Sequence, residues 1–472
     1  MPSRIFYKSS QASSQILVAL TATISMIILG TNIGWTSPII PNLLNSSSDS
    51  PLQLSSANAA WVTSFLMLGS LPGCIIASLI VDRIGRKISL LLTNIPLMIG
   101  WILILISHEP HTLFIARFIS GIGMGSVYTL CPIYIGEIAD KNIRGTLGSF
   151  LKLMMHFGEL YSHAIGPYVS YTIMGYCCAI IPIIFFITFI WMPESPYYLL
   201  VKNRKNDALN SLRFLRHYGD DNKLFEELEQ INETVIQDLS NKRKFWYLFR
   251  TSGNKKAVII CFGLQLILQF SGLAAIESYT QKIMDEAETQ LSASIEVIIL
   301  NIFQIIAGIF SAILVDKIGR RPLLINTTFL AGCSLLISSI FFYLKNQLKL
   351  DMKPYGYILV ISIIFYEFII SVGLNPLTYM MLGELFSTDI KGFAVCSANI
   401  WGGLVAFSVT KLFQVISDSS GVEISFLWFS MSCFIGVVFI IYCVPETKGK
   451  TFAEIQGELN SINGEKSINS KS

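Results

Sequence analysis

The chain has 472 residues, of which 52% are hydrophobic and 14% charged, with a net charge of +3. Soluble domains carry about 25% charged residues, so this composition excludes an ordinary soluble protein. The small net charge says little about partners; its distribution along the chain says more.

A bilayer core of roughly 30 Å takes about 20 apolar residues in a helix. Twelve segments meet that requirement: 16–36, 57–81, 89–107, 112–134, 147–167, 171–192, 256–278, 294–315, 322–343, 355–380, 391–414 and 424–444. The first is too long for a signal-peptide core and lacks a small-residue cleavage site. It predicts a retained helix behind a short terminus, residues 1–15. Residues 45–56, rich in Ser and Asn, read as an exposed outer loop. They carry the sequon Asn45-Ser46-Ser47, which makes Asn45 a candidate glycosylation site. A second sequon, Asn232-Glu233-Thr234, falls on the inner side and is expected to stay bare. Residues 193–255 form the long polar segment, where Leu209, Leu212, Leu215, Leu224 and Leu228 alternate with charges. That mix predicts short amphipathic helices in a cytosolic linker. Residues 445–472 are a polar tail. With the amino terminus inside, Lys and Arg concentrate on the inner segments, the bias expected of an oriented membrane protein. Lys345, Lys349 and Lys353 dissent on the outer side. The nine cysteines lie almost wholly in apolar stretches without metal-ligand or secreted-disulfide spacing, and read as free thiols.

A short charged string occurs twice. Asp82-Arg83-Ile84-Gly85-Arg86-Lys87 returns as Asp316-Lys317-Ile318-Gly319-Arg320-Arg321. Glu137 precedes Arg144 by seven residues, and Glu384 precedes Lys391 by the same interval. Pro193-Glu194-Ser195 closes the sixth span, and Pro445-Glu446-Thr447 closes the twelfth. Matching charges at the inner ends of matching spans predict an all-α membrane protein of two pseudo-symmetric six-helix bundles, 16–192 and 256–444. Asp82, Arg86, Glu137 and Arg144, with Asp316, Arg320, Arg321, Glu384 and Lys391, are expected to form inner clasps of ion pairs. Such pairs are individually weak, ~0–1 kcal/mol at a surface, which suits a gate with two states of similar energy. The other reading is that the basic residues simply set topology.

The fifth span is the oddest stretch. Lys152, His156, Glu159 and His163 project within an arc of about 60° at ~100° per residue. Ionisable groups inside a bilayer are costly and face a cavity or a partner. Three readings stand. Lys152 and Glu159 pair with one another, directly or through His156, and fill space. They bind a polyol by charge-assisted hydrogen bonds. Or they bind a charged solute or a proton, since imidazole titrates near neutral pH. On the seventh span Gln265 and Gln269 share a face, and each amide both donates and accepts, which suits hydroxyl groups. Gln304 extends that set, and Tyr379 offers a ring for stacking. Glu277 and Glu367 read as helix-end or interhelix contacts.

These residues resemble the sugar porter family of the major facilitator superfamily across nearly the whole chain. The resemblance rests on the two Asp-to-basic turns and on Arg117-x-x-x-Gly121-x-Gly123. Pro132-Ile133-Tyr134-Ile135-Gly136-Glu137 through Arg144-Gly145 adds to it, as do Pro193-Glu194-Ser195-Pro196, Gln265-Leu266, Ser271-Gly272, Gly383-Glu384 and Pro445 to Thr451. Trp35-Thr36-Ser37-Pro38 looks like the facilitated trehalose transporters of insects. The resemblance implies twelve helices, alternating access and a sugar-sized central cavity. It also marks departures. Lys152 stands where relatives place a sugar-contacting Gln, and Glu159 where some place a second. Of a Gln-Gln pair and following Asn on the seventh span, the chain keeps Gln269, with Leu268 and Ala274 at the other places. Gln304 replaces an Asn, Tyr379 a Trp, and Gly402-Gly403 an Asn-Trp pair. Proton-driven relatives place an acid on the first span near the arginine matching Arg117; Thr36 is expected at that place here, which implies a facilitator.

The expected protein is therefore a sugar, trehalose or polyol uniporter in a plasma membrane. Both termini are expected in the cytosol, with no cofactor, no metal, no nucleic-acid partner and a monomeric working state. The alternatives are a proton-coupled or charged-solute carrier using Lys152, His156 and Glu159, and a sugar sensor that does not transport. An enzyme is not expected: the histidines lack metal spacing with cysteine, and no phosphate-binding Gly-Lys-Ser loop is present.

Overall fold

The computed structural model describes residues 2–44, 52–140, 143–216, 221–240, 249, 252–386, 388–450 and 452–461. Among them the secondary structure is helical throughout, with no strand. Two compact units result: residues 1–241 together with Glu277–Lys282, and residues 242–276 with 283–472. The transfer of six residues from the second half of the sequence into the first unit is a feature the sequence did not suggest.

The first unit contains α1 (Pro2–Gly34), α2 (Thr36–Leu44), α3 (Ser56–Ile84), α4 (Arg86–Leu92), α5 (Asn94–Leu105), α6 (Pro110–Ile138), α7 (Arg144–Ile165) and α8 (Tyr171–Phe189). It continues with α9 (Pro196–Val201), α10 (Lys205–Arg216) and α11 (Asp221–Ser240). The second unit contains α12 (Ser252–Phe270), most of α13 (Leu273–Asp285), α14 (Ala293–Ile318), α15 (Arg320–Asn346), α16 (Gly356–Val372), α17 (Leu374–Leu385), α18 (Thr388–Ser420), α19 (Val422–Cys443) and α20 (Phe452–Ser461).

Among the described residues, eleven helical stretches, some joining two consecutive helices, are long and apolar enough to cross a membrane. The fifth expected span is not among them. It forms α7, 22 residues long, which is enough to span, but Lys152, His156, Glu159 and His163 lower its hydropathy. Interior packing follows small residues. A Cβ on Gly30 of α1 would lie 2.0 Å from the Met155 carbonyl oxygen of α7, and one on Gly158 would lie 2.2 Å from the Ile27 carbonyl oxygen. The two backbones therefore touch, and this contact sets the rotation of α7 and of its polar stripe.

The amphipathic helices α9 to α11 bury Tyr198, Leu199, Leu212, Leu224 and Leu228 in a small core of their own. Arg216 fastens them to the first unit: it pairs with Glu227 at 2.8 Å and donates to the Ile138 carbonyl at 2.9 Å. The dissenting lysines also find an account. Lys345 pairs with Glu286 at 2.9 Å and Glu288 at 3.0 Å, and Lys353 pairs with Glu288 at 3.1 Å. These acids neutralise two of the three locally; Lys349 stays exposed. All nine cysteines are free.

Candidate functional site

The two charged turns fold identically within their own units. Gly85 has φ +101° and Gly319 φ +104°, with ψ near extended values, a region open essentially to glycine alone. Each turn drops a helix N-terminus onto one carboxylate. Glu194 accepts from the backbone N–H of Arg86 (3.0 Å), Lys87 (3.0 Å) and Ser195 (2.9 Å). Glu446 accepts from the backbone N–H of Arg320 (3.1 Å), Arg321 (3.0 Å) and Lys448 (2.8 Å). A carboxylate at a helix N-terminus satisfies donors that have no intrahelical partner. Burial pushes Glu446 up, but the backbone donors of Lys448, Arg320, Arg321 and Thr447 outweigh it and hold the carboxyl below its ordinary value.

The arginine that follows each glycine turns inward. Arg86 pairs with Glu137 at 2.9 Å and Asp82 at 3.2 Å, and Ser195 Oγ donates to the same Glu137 carboxylate. Arg320 pairs with Glu384 at 3.1 Å, and Thr447 Oγ1 donates to Glu384. Sequence reasoning treated Glu194 and Glu446 as span ends; they are the hubs of the clasps. The side chains of Arg144, Asp316 and Lys391, and the whole of Asn45, lie outside the described residues.

Two interior sets of polar side chains follow, one in each unit. In the first unit His156 Nδ1 lies 3.0 Å from Glu159 Oε2. Both residues are buried, at 4% and 2% exposure, as is His163. The other Glu159 oxygen has no hydrogen-bond partner among the described residues. Lys152 lies in the electrostatic field of Glu277 and Glu159, and Glu277 belongs to the six-residue segment of the first unit. Nothing local in the sequence signalled this; the one available sign was an acid in an apolar stretch.

Arg117 is fully buried. It donates to the Asn32 carbonyl (2.8 Å) and the Val62 carbonyl (3.3 Å), and its guanidinium lies 5.4 Å from the Trp35 ring centroid. On the first span, Asn32 of α1 and Trp35 at the break after it meet Arg117. The Thr36 hydroxyl donates to the Ile33 carbonyl.

In the second unit Gln265 and Gln269 sit on α12, 1% and 9% exposed. Neither the oxygen nor the nitrogen of the Gln265 amide has a hydrogen-bond partner among the described residues. Buried amides are normally paired, which sets this one apart among the described residues. Gly402 makes its room: a Cβ there would lie 2.7 Å from Gln265 Oε1. Gln304 Nε2 donates to Glu367 Oε2 at 2.9 Å, while Gln304 Oε1 has no partner among the described residues. Glu367 is therefore an interhelix contact between α16 and α14 that holds Gln304 in one orientation. Tyr379 on α17 is 38% exposed. Asn375, on the same helix, was overlooked in the sequence; it is 5% exposed and its Oδ1 has no partner among the described residues.

Among the described residues no group of His, Cys, Asp and Glu is placed to hold a metal ion. The arrangement offers hydrogen-bonding groups and ion pairs rather than a nucleophile with its base.

Comparison with known proteins adds three findings. A silkworm (Bombyx mori) protein described as facilitated trehalose transporter Tret1 is 30% identical over 451 residues, covering 95% of this chain and 87% of that protein. Its counterpart from Apis mellifera ligustica is 29% identical, covering 94% and 87%. Among solved structures, an inward-open conformation of the xylose transporter XylE from E. coli superposes with a TM-score of 0.79 at 21% identity, covering 94% of this chain and 99% of that one. XylE bound to 6-bromo-6-deoxy-D-glucose gives 0.73 at 22% identity, covering 95% and 100%. These likenesses establish the fold as that of the major facilitator superfamily. Residues 17–459 match the family described as sugar (and other) transporter, and the chain belongs to that family.

Proposed function

We propose that this chain moves a sugar down its gradient across the plasma membrane, with trehalose as the first candidate and hexoses and polyols as the others. One observation carries the reading: Gln265 is a buried amide whose donor and acceptor ends are both unengaged, beside a glycine that keeps its space clear. A hydroxyl-rich solute supplies both complements, whereas an apolar one would leave a buried amide unpaired at a cost of about 1–3 kcal/mol. Gln269, Gln304 and Tyr379 serve the same solute. Lys152, His156 and Glu159 line its path. The name of the trehalose-transporting relatives favours a disaccharide.

Facilitated rather than proton-driven transport is supported by the uncharged partners of Arg117, which meets Asn32 and Val62 through their carbonyls. The Arg86–Glu137 and Arg320–Glu384 clasps lie at the cytosolic ends of their units and give way during inward opening. Asn45 carries a glycan, both termini are cytosolic, and a single chain is the working unit.

Uptake of labelled trehalose, glucose and a polyol into proteoliposomes tests the reading. The expected result is flux of at least one solute that stops at equal concentrations, with Gln265→Ala raising its KM. Binding without flux would identify a sensor. Accumulation above equilibrium under a proton gradient would identify a symporter. Indifference to all three solutes would remove the sugar reading.

A further inference from the structure

The two charged turns differ in the fate of their second basic residue. Arg321, in the second unit, donates through its guanidinium to the Ile441 carbonyl near the end of α19. Its counterpart in the first unit, Lys87, donates to Glu194 through its backbone N–H at 3.0 Å. The partly buried Lys87 ammonium has no hydrogen bond or ion pair among the described residues. It borders a cleft of about 470 Å³ that Ile88, Trp191, Arg204 and Phe214 also line.

Hydrogen bonds fix the walls of this cleft. The Tyr198 hydroxyl of α9 donates to the Arg83 carbonyl at 3.0 Å, and the Ser211 hydroxyl of α10 donates to the Glu194 carbonyl at 2.6 Å. These bonds seat α9 and α10 against the turn and the chain that leaves α8, with Phe214 lining the cleft. The opposite wall is exposed apolar surface: Ile88 lies in the first turn of α4, and Trp191 follows the end of α8. On both spans the exposure continues away from the cleft, through Leu92 and Ile95 on one and Ile187 and Ile183 on the other. The cleft thus joins a charged rim to surface that the spans turn toward hydrocarbon, and a tryptophan at that level is an interfacial anchor.

The charge around the cleft is basic. Residues 82–87 and 194–207 hold six Lys and Arg against three acids, and Glu137 brings a fourth acid to Arg86. Those acids are committed. Asp82 and Glu137 pair with Arg86, and Glu194 accepts from three backbone N–H groups. Asp207 pairs with Arg204 at 2.7 Å through Nε, which leaves the terminal N–H groups of that guanidinium for a second anion. Basic pockets at the ends of membrane spans take up the phosphates of lipid headgroups. We propose that this cleft binds the headgroup of an anionic phospholipid from the leaflet on the linker's side of the membrane, with the lipid phosphate between Lys87 and Arg204 and an acyl chain laid over Ile88 and Trp191. A soluble anion would satisfy the cations and leave the apolar wall wet; a lipid covers both.

A lipid in this cleft touches three parts of the first unit at once: the start of α4, the chain after α8, and α10. It fastens the linker helices to the spans from the membrane side, as Arg216 fastens them through the Ile138 carbonyl. Lys87→Gln keeps the backbone N–H that Glu194 accepts from, so the turn and its clasp persist while the cleft loses its uncommitted cation. The inference holds whichever solute the chain carries.

The test uses the full-length protein in detergent, titrated with phosphatidylserine or with phosphatidylcholine of the same chains, and native mass spectrometry counts the lipids retained. Phosphatidylserine should be held in preference to phosphatidylcholine. Lys87→Gln should lower its affinity about fivefold, the equivalent of about 1 kcal/mol for one Lys beside an anionic headgroup. Should that variant not fold, Arg204→Gln gives the same reading. Lys205→Gln, an exposed linker charge outside the cleft, should change nothing. Excess inorganic phosphate should leave the bound lipid in place. Equal retention of the two lipids overturns the site, and so does an equal loss in Lys205→Gln and Lys87→Gln, which would mark diffuse attraction. Displacement by inorganic phosphate would make the ligand a soluble anion and overturn the lipid assignment.

Discussion

Replacing Gly402 by Ala separates the sugar site from the stability of the helix that carries it. Gly402 lies within α18 and has ordinary helical company on both sides. Alanine there gains about 1 kcal/mol of helix propensity. Its Cβ would come 2.7 Å from Gln265 Oε1 and 3.2 Å from Gln265 Cδ, inside van der Waals contact. The atoms in the way are the far end of a flexible side chain, so Gln265 swings aside and the fold does not suffer. What suffers is ligand contact. Two neutral hydrogen bonds from that amide contribute about 1–3 kcal/mol together, which corresponds to a rise of roughly 5- to 150-fold in KM. The maximal rate should hold, because an interaction equal in the ground and transition states is lost. Trehalose uptake kinetics in proteoliposomes read KM and maximal rate, and thermal unfolding in detergent reads stability. Gln265→Ala should produce a comparable KM, and the double variant should add little, since both act on one contact. An unchanged KM in Gly402→Ala, with folding intact, refutes the assignment of Gln265 to the solute.

Further outcomes follow from the clasps. Glu137→Gln leaves the buried Arg86 short of its main counter-charge and should destabilise the protein by about 1–3 kcal/mol. Glu384→Gln should cost less, because that pair is more exposed, 12% and 23% against 7% and 16%; unfolding midpoints of the two variants test the order. Gly85→Ala meets both a φ of +101° and a Cβ contact of 2.3 Å to Glu194 Oε2, and should abolish folded protein in a size-exclusion assay, whereas alanine at the exposed Gly449 meets a φ of +72° but no atom within 4 Å, and should weaken the fold without abolishing it. Glu446 has a folded-state pKa below its unfolded value of about 4.3. Its contribution to stability is therefore full above that value and is lost as the pH falls through the folded one. The native protein should lose midpoint below about pH 4 by more than Glu446→Gln does.

The architecture was legible because it is written in local strings with backbone causes. Asp82 to Lys87 and Asp316 to Arg321 announce a turn that needs glycine at a positive φ, followed by an arginine that reaches inward, and the structure builds the same clasp from each. The hydropathy of α7 was a poorer guide to its status as a span than its place in the order of helices, since the same residues that make it interesting make it polar. The interior sites were legible by residue type and not by partner. Gln265, Gln304 and the α7 stripe stood out as polar groups in apolar segments, but no spacing rule connects Gln304 to Glu367, which meet through packing of distant helices, or brings Lys152 into the field of Glu277. The place of Thr36 came from resemblance and not from any local rule; its hydroxyl donates to the Ile33 carbonyl, and Asn32 and Trp35 are residues that reach Arg117.

The two units carry the same clasp and different interiors, and the contrast bears on mechanism. At the turns, backbone N–H groups of a helix start must find an acceptor, so Glu194 and Glu446 are fixed by geometry whichever solute passes. No such demand acts on the interior. The first unit holds ionisable side chains with one contact between them, His156 to Glu159, whereas the second holds amides without hydrogen-bond partners among the described residues. A neutral, hydroxyl-rich solute gains most from the amides, because it fills positions that are otherwise empty. It gains less from the charged cluster, where it must compete with an existing ion pair. Lys152→Gln should therefore change the ranking of solutes less than Gln265→Ala does. A change of solute preference in Lys152→Gln that exceeds the change in Gln265→Ala would place recognition on α7 instead.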